Sequence, residues 1–427
     1  MNIRTVQPTT IPLDFSVRVP GSKSVANRAL VCAALADGPS TVTGVPEGDD
    51  VSALLEALGR LGAEVRIERT GSTATVRMES GIDASRTEEV ALHARLAGTT
   101  SRFLLALAAL QSAPTIVDGD PPLRARPIGD LIDALGALGA RVEALDRPRS
   151  LPVRISRAGL TGGRIVVPGS VSSQFVSALA MIGPTLEGGL HVAIADHLVS
   201  SGYVRLTLEV MRAFGVEASM GADGVECPNG TYRGCEFHVP PDASSATYPA
   251  AAVAIVGGRV LLADLVSAGS QPDRAFPDLL ERMGCRVTVD GGDVVVERDR
   301  SVPLTGITID MGMMSDAVPA LAVVAACATT PTVITGIGFI RGKESDRIGD
   351  LAAELRRLGA NVETREDGLS ISPSSLHGST LATHHDHRLA MAFAVLGLGV
   401  GGLSIENPGV VTKSWPSFWS ELDGWTS

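Results

Sequence analysis

The phrase VPGSKS begins at Val19, VPGSVS at Val167 and VPPDAS at Val239. The intervals, 148 and 72 residues, are close to two periods and one period of about 73. A chain that repeats itself this way must be assembled from copies of one supersecondary unit, which constrains its architecture more than any single motif.

Alignment on the phrase gives six copies. Each opens with a helix of small apolar residues: KSVANRALVCAALADG from Lys23, TTSRFLLALAALQ from Thr99, SSQFVSALAMIG from Ser172, SSATYPAAAVAIVG from Ser244, SDAVPALAVVAACA from Ser315 and DHRLAMAFAVLGLG from Asp386. A short strand follows each one: STVTGV, PTIVDGD, LHVAIAD, RVLLADL, TVITGIG and LSIENPG. A second, amphipathic series (LLEALGRLGAEV, LIDALGALGARV, LTLEVMRAFGVEA, LLERMGCRV, LAAELRRLGANV) ends at Gly62, Gly139, Gly215, Gly284 and Gly359. Glycine there suits a left-handed helix cap. Hairpin signals come next, such as VTVDGGDVVVE from Val287 and VETREDGLSIS from Val362. The unit reads strand–helix–strand–helix–hairpin, with the last copy cut short. The first helices, apolar nearly all round, are expected to be buried, and the second to lie half exposed. Six copies divide most simply into three and three, with a boundary near 238–244 and a short N-terminal strand left over for the C-terminal half.

Composition narrows the function classes. A length of 427 residues suits two or three domains, and with only 4% aromatic residues the interior must be built from Ala, Val, Leu, Ile and Gly. A net charge of −11 argues against a nucleic-acid surface. Cys32, Cys227, Cys235, Cys285 and Cys327 are scattered, without metal-like spacing, and read as small apolar residues in a reducing compartment. MNIRTVQPTTIPLDF lacks the apolar core of a signal peptide, and the run from Leu389 to Leu403 is too short and Gly-rich to span a bilayer. These features lead us to expect a soluble, intracellular protein.

Function is expected where the copies differ. Helix N-termini favour anions, and several first helices begin with polar residues: Ser22, Lys23 and Ser24; Gly98 and Thr99; Ser172, Ser173 and Gln174; Ser315 and Asp316; Asp386, His387 and Arg388. Capping accounts for the Ser, Thr and Asp members. It does not account for Lys23, Arg28, Gln174 or Arg388, because cations there oppose the helix dipole. Arg126, Lys343, Arg347 and Lys413 stand in loops beside the same units. Seven cations at repeat-equivalent ends of an acidic chain point to ligands carrying several negative charges. Asp316 and Glu344 among them are candidates for general base and acid. GIGFIRGK (336–343) is not a phosphate loop, because Ile337 stands where glycine is required. HHDH (384–387) lacks a partner cluster for zinc, so no metal is expected.

PGSKSVANR, AGTTSRF, RARPIGDL, SSQFVSAL, DASSATYPAAA, KESDRI, DHRLAM and the late Lys413, in this order along the chain, resemble the 5-enolpyruvylshikimate-3-phosphate synthase (3-phosphoshikimate 1-carboxyvinyltransferase) family. The resemblance implies an α/β fold, a two-domain inverse α/β barrel of six βαβαββ repeats, three per domain, with the active site in the cleft between domains. Residues 1–19 with 242–427 would form a discontinuous C-terminal-type domain, and 20–241 the N-terminal-type domain. Shikimate 3-phosphate would be held by Lys23, Ser24, Arg28, Ser172, Ser173, Gln174, Ser200, Asp316 and Lys343. Phosphoenolpyruvate would be held by Lys23, Gly98, Arg126, Gln174, Arg347, Arg388 and Lys413. Asp316 would act as base and Glu344 as proton donor, with Lys23, Lys413 and His387 in the catalytic set. The resemblance further implies carboxyvinyl transfer by addition and elimination in the shikimate pathway to chorismate and the aromatic amino acids. No cofactor, nucleic acid or membrane partner is implied, and a cytoplasmic monomer is expected.

The chain departs from the family pattern in three places. Leu96 stands where Asn usually precedes AGT, SSGY (200–203, with Ser201 and Gly202) replaces S-K-P-Y, and Phe339 replaces an Asn. These put the detail of the acceptor site in question. The related transferase for UDP-N-acetylglucosamine typically has a cysteine in the segment matching DGDPPLRARPIG (118–129), which has none here. A secondary-metabolite acceptor is another alternative. A non-catalytic anion-binding protein is a third, disfavoured because a pure anion binder gains nothing from Asp316 and Glu344.

Overall fold

The structure is a computed structural model and describes residues 2–426. The chain falls into two compact units, Gly21–Val239 and Met1–Pro20 with Pro240–Ser427. The alternation of apolar helices and short strands is realised as six small sheets among the described residues, five of four strands and one of three.

In Gly21–Val239, α1 (Lys23–Ala34) leads into strand Ser40–Pro46, α2 (Asp49–Arg60) and hairpin strands Glu64–Thr70 and Thr73–Ser80. The second copy runs from strand Val90–His93 through α3 (Gly98–Ala109), strand Thr115–Asp118, the single turn α4 (Pro121–Arg124) and α5 (Gly129–Ala137) to strands Ala140–Ala144 and Val153–Arg157. The third has strand Gly163–Val167, α6 (Ser173–Ile182), strand Leu190–Ile194, α7 (Ser201–Ala213) and strands Ser219–Met220 and Gly224–Cys227.

The other unit repeats the plan. α8 (Ala243–Val256), strand Gly258–Leu262, α9 (Phe276–Arg282) and the hairpin Arg286–Asp290/Asp293–Arg298 form its first copy. Its second has strand Thr308–Asp310, α10 (Val318–Ala326), strand Thr332–Thr335, α11 (Gly349–Arg357) and the hairpin Asn361–Arg365/Gly368–Ser372. The last copy holds strand Thr380–Leu381, α12 (His387–Gly399), strand Ser404–Glu406 and α13 (Phe418–Gly424).

In every sheet a buried helix is flanked by two parallel strands. Two of those strands are exchanged. Leu13–Val17 precedes α1 in sequence but pairs in parallel with Gly258–Leu262, after α8. Glu236–His238 precedes α8 but pairs in parallel with Ser40–Pro46, after α1. The N-terminal segment is two strands rather than the one expected. Ile3–Thr5 lies antiparallel to Ser404–Glu406, where the truncated last copy lacks its hairpin.

The helices follow the expected division. All fourteen residues of α8 and all nine of α10 are buried, as befits helices apolar on every side. The glycines closing the second helices have left-handed φ, from 82° at Gly215 to 109° at Gly284. The next amide reaches back five residues to close the last turn, as in Ala63 N to Leu58 O (3.1 Å) and Cys285 N to Leu280 O (2.9 Å). One helix start is corrected. The segment expected to be helical from Ser315 first makes a 3₁₀ turn, Ser315–Ala317, and the α-helix begins at Val318. Pro319 has no amide hydrogen to give, which confines it to the first turn of the α-helix. Cys32, Cys227 and Cys285 are buried, and no disulfide joins any of the five cysteines. Among the described residues no helix is long and apolar enough to cross a membrane.

Candidate active site

In Gly21–Val239 the starts of α1, α3 and α6 are tied together by side chains. Ser22 caps α1 and Ser172 caps α6, its Oγ accepting from Gln174 N at 3.3 Å. Lys23 Nζ pairs with Asp50 Oδ2 of α2 at 3.0 Å, both largely shielded from water. Thr100 Oγ1 of α3 donates to the Asp50 carbonyl at 3.0 Å, and Gln174 Nε2 of α6 donates to Thr99 Oγ1 at 3.1 Å. Three helix N-termini, each with its partial positive charge, are thereby linked, α1 through the Lys23–Asp50 ion pair and α3 and α6 through hydroxyl and amide groups.

Gly98 is required by close approach. A Cβ there would lie 2.4 Å from Arg126 Nη1 and 2.7 Å from its Cζ, so the guanidinium packs directly on the first residue of α3. Ser200, just before α7, is buried and holds a left-handed φ of 51°, uncommon for a residue with a side chain. Ser24 is half-buried and Ser173 buried.

Arg28 lies deeper than a surface ligand residue would. Its Nε donates to Thr207 Oγ1 (2.7 Å), its Nη1 to Ser24 O (2.8 Å), and its Nη2 to Tyr203 O (3.2 Å) and Ser177 Oγ (3.4 Å). Its guanidinium carbon is 5.4 Å from the centroid of the Phe103 ring. Burial pulls its pKa down to about 10, against weaker upward pulls from Tyr203 and Cys32. Most of its N–H groups therefore already serve packing among α1, α6 and α7.

The unit containing Pro240–Ser427 gathers charges instead. The 3₁₀ turn before α10 carries Asp316, the segment before α11 carries Lys343, Glu344 and Arg347, the start of α12 carries Asp386, His387 and Arg388, and the 3₁₀ turn Pro408–Lys413 ends on Lys413. Arg347, 1% exposed, is the hub. Its Nε and Nη2 bind both oxygens of Asp386 (2.7 and 3.2 Å), Nη1 binds Asp316 (2.9 Å) and Nη2 also binds Glu344 (2.9 Å). Arg388 Nη2 binds the other Asp316 oxygen at 2.8 Å, and Lys413 Nζ the other Glu344 oxygen at 3.0 Å. Asp386 also caps α12, accepting from Arg388 N at 2.9 Å.

Burying this many charges is tolerable only because they balance and bond one another. Burial pushes the Asp316 carboxyl up, but Arg388, Lys343 and Arg347 together outweigh it and hold the group below the usual carboxylate range. Burial pulls Arg347 down, yet Asp386, Glu344 and Asp316 raise it above its ordinary value. His387 is buried, its Nδ1 3.7 Å from Asp386 Oδ1. Lys343 Nζ lies 5.7 Å from the centroid of the Phe339 ring, within cation–π range.

The sequence left three participants unassigned. Asp50 reads locally as an acidic first-turn residue, although it is the partner of Lys23. Asp386 reads as a helix cap, although it anchors Arg347. Asp273 gives no local signal, yet it is fully buried against Ser244 Oγ at the start of α8. Burial, and then the charge of Asp316, raise its pKa to about 7.

The chain matches the family model described as EPSP synthase (3-phosphoshikimate 1-carboxyvinyltransferase) over residues 8–422. The chain belongs to this family. A Methanoculleus marisnigri protein named 3-phosphoshikimate 1-carboxyvinyltransferase is 42% identical over 417 residues, covering 97% of each chain. A Serratia proteamaculans protein of the same name is 40% identical, covering 98% of this chain and 97% of its own. The structure of EPSP synthase from Acinetobacter baumannii superposes with a TM-score of 0.79 at 27% identity, over 99% of this chain and 98% of that one. The mixed α/β fold described above is thus that of EPSP synthases, and the protein is a transferase of that family.

Proposed function

We propose that the protein transfers the carboxyvinyl group of phosphoenolpyruvate to the 5-hydroxyl of shikimate 3-phosphate, releasing phosphate. Family membership supports the reaction. The observation that carries the assignment of residues is the buried set Arg347, Arg388 and Lys413, interleaved with Asp316 and Glu344. Cations of this kind suit a small ligand with a carboxylate and a phosphate, and carboxylates among them suit proton transfer.

In this reading the anionic groups of phosphoenolpyruvate compete with Asp316 and Glu344 for Arg347, Arg388 and Lys413. Asp316, released from two guanidinium groups, becomes more basic and takes the proton of the attacking hydroxyl. The hydroxyl oxygen bonds to C2 of the enolpyruvate while Glu344, with Lys413 beside it, delivers a proton to C3. Elimination then removes a proton from C3 and breaks the bond from C2 to the phosphate oxygen, restoring the double bond. Cations facing that oxygen stabilise the departing phosphate. Lys23, Gly98 with Arg126, and Gln174 complete the enolpyruvate contacts. Lys23, Ser24, Ser172, Ser173, Gln174, Ser200, Asp316 and Lys343 hold the acceptor. Arg28 acts there chiefly by setting Ser24 and Tyr203, with one N–H left for the phosphate. His387 supports the Asp386–Arg388 turn.

We also read the two compact units as the functional domains, each three βαβαββ copies of an inverse α/β barrel, serving one pair of substrates as a cytoplasmic monomer. The strand exchange beside both chain crossings supports that division.

Phosphate release from phosphoenolpyruvate, followed with shikimate 3-phosphate and separately with UDP-N-acetylglucosamine, tests the acceptor. Turnover is expected with shikimate 3-phosphate alone. A second reading, a different acceptor, is favoured by Phe339 against Lys343, and silence with both compounds would promote it.

A further inference from the structure

The histidine pair dismissed above as a metal site has a different place in the structure. His384 and His385 have φ of 50° and 59°, two successive side-chain-bearing residues in the left-handed region. Such a pair relaxes unless its surroundings hold it. The segment leads directly into Asp386 and Arg388, so its conformation decides where that guanidinium starts.

The holding contact comes from α11. Glu354 is 3% exposed, and its Oε1 accepts from His384 Nε2 at 3.0 Å. Its Oε2 accepts from Ala382 N at 3.1 Å and lies 3.5 Å from Arg357 Nη1. The other ring nitrogen, His384 Nδ1, is 3.7 Å from Asp350 Oδ1, also on α11. At the far end of the turn, Asp386 N donates to Thr383 O at 2.8 Å. A buried carboxylate needs partners, and Glu354 finds them on the strand and turn that precede α12. Arg347 lies just before the first residue of the same helix. Both guanidinium groups are therefore referred to α11, Arg347 through the chain and Arg388 through Glu354 and His384.

We propose that Glu354 and His384 form a positioning clamp that fixes Arg388 relative to Arg347 and Asp316 for the enolpyruvate substrate. The clamp rests on the reading that Arg347 and Arg388 hold phosphoenolpyruvate. Neither clamp residue touches the reacting atoms. Their effect must therefore fall on the substrate that Arg388 binds, and the acceptor should be spared.

Steady-state kinetics with both substrates, well below the unfolding temperature, separate these roles. His384→Ala and His384→Gly are expected to raise KM for phosphoenolpyruvate about tenfold, with KM for shikimate 3-phosphate nearly unchanged. His384→Gln, which keeps an N–H for Glu354, should recover most of the loss, and Glu354→Gln should show a smaller rise. His384→Gly is the sharpest variant, because it removes the left-handed strain along with the ring. If it is kinetically like the wild type, or if KM rises equally for both substrates, the clamp is overturned. A lowered melting temperature with unchanged kinetics would also overturn it. Arg388→Lys tests the underlying reading. If it leaves KM for phosphoenolpyruvate unchanged, that reading fails and the clamp with it, whereas a rise seen in Arg388→Lys but not in the His384 variants removes the clamp alone. His191→Gln, at an exposed carboxylate pairing in the other unit, should alter neither constant.

Discussion

The two units present the same repeated helix start in opposite chemical forms. In Gly21–Val239 the starts of α1, α3 and α6 are lined by hydroxyls, an amide and one ion pair, Lys23 with Asp50. In the other unit Asp316 before α10 and Asp386 at the start of α12 join the segment before α11 in a network where Arg347 alone binds three carboxylates. The first arrangement offers dipoles and neutral donors already in place. On the proposed reading, the second must exchange most of its carboxylate partners for those of the ligand, whereas in the first only Lys23 has such a partner. The first half then serves chiefly recognition and the second acid–base chemistry.

The largest contrast should appear on removing each unit's central cation. Arg347→Met would leave Asp386, 0% exposed, without its main partner, and should cost about 3–5 kcal/mol in urea unfolding. Lys23→Met leaves only Asp50 to be compensated and should cost about 1–3 kcal/mol, with the fold retained and turnover lost. Equal destabilisation by the two would erase the distinction drawn here. Gly98→Ala tests the preformed half more gently. The new methyl must displace Arg126, so KM for phosphoenolpyruvate should rise about tenfold with little change in melting temperature.

Asp273 sharpens the comparison through pH. Its folded pKa, about 7, lies above the unfolded value of about 4. The stability it contributes when protonated is therefore full below pH of about 4 and is lost as pH rises through about 7. Asp273→Asn should remove that slope. The variant should gain on the wild type between pH 5 and 8 by on the order of 2–3 kcal/mol, read from unfolding curves at both pH values. A difference independent of pH would mean that Asp273 is ionised throughout.

The two helix series were legible in the sequence because their signals are local, apolar helices of small residues and glycines that must adopt a left-handed φ. The strand exchange was legible only in part: the N-terminal strand was left over for the C-terminal half, but its exact partner and the return of Glu236–His238 to Ser40–Pro46 were not. LDFSV and EFH carry ordinary alternation, and nothing local tells Leu13–Val17 that its partner is Gly258–Leu262. The site divides the same way. Cations at helix starts stand out because they oppose the dipole, so Lys23 and Arg388 were visible. Asp386 was hidden behind its own capping role, since its bonds to Arg347 span 39 residues and leave no local mark. Arg28 stood out for the same reason as Lys23, yet one helical turn deeper its guanidinium is surrounded by Thr207, Ser177 and Tyr203.

The central claim is that Asp316 is a base held in check by the cations that bind the substrate. The most direct test measures both phosphoenolpyruvate affinity in the presence of shikimate 3-phosphate and turnover, for the wild type and Asp316→Asn. Losing the carboxylate frees Arg347 and Arg388 for the ligand while removing the proton acceptor. The account predicts affinity unchanged or tighter, with kcat reduced about 10²- to 10⁴-fold. Retained turnover, or affinity falling in parallel with kcat, would contradict it.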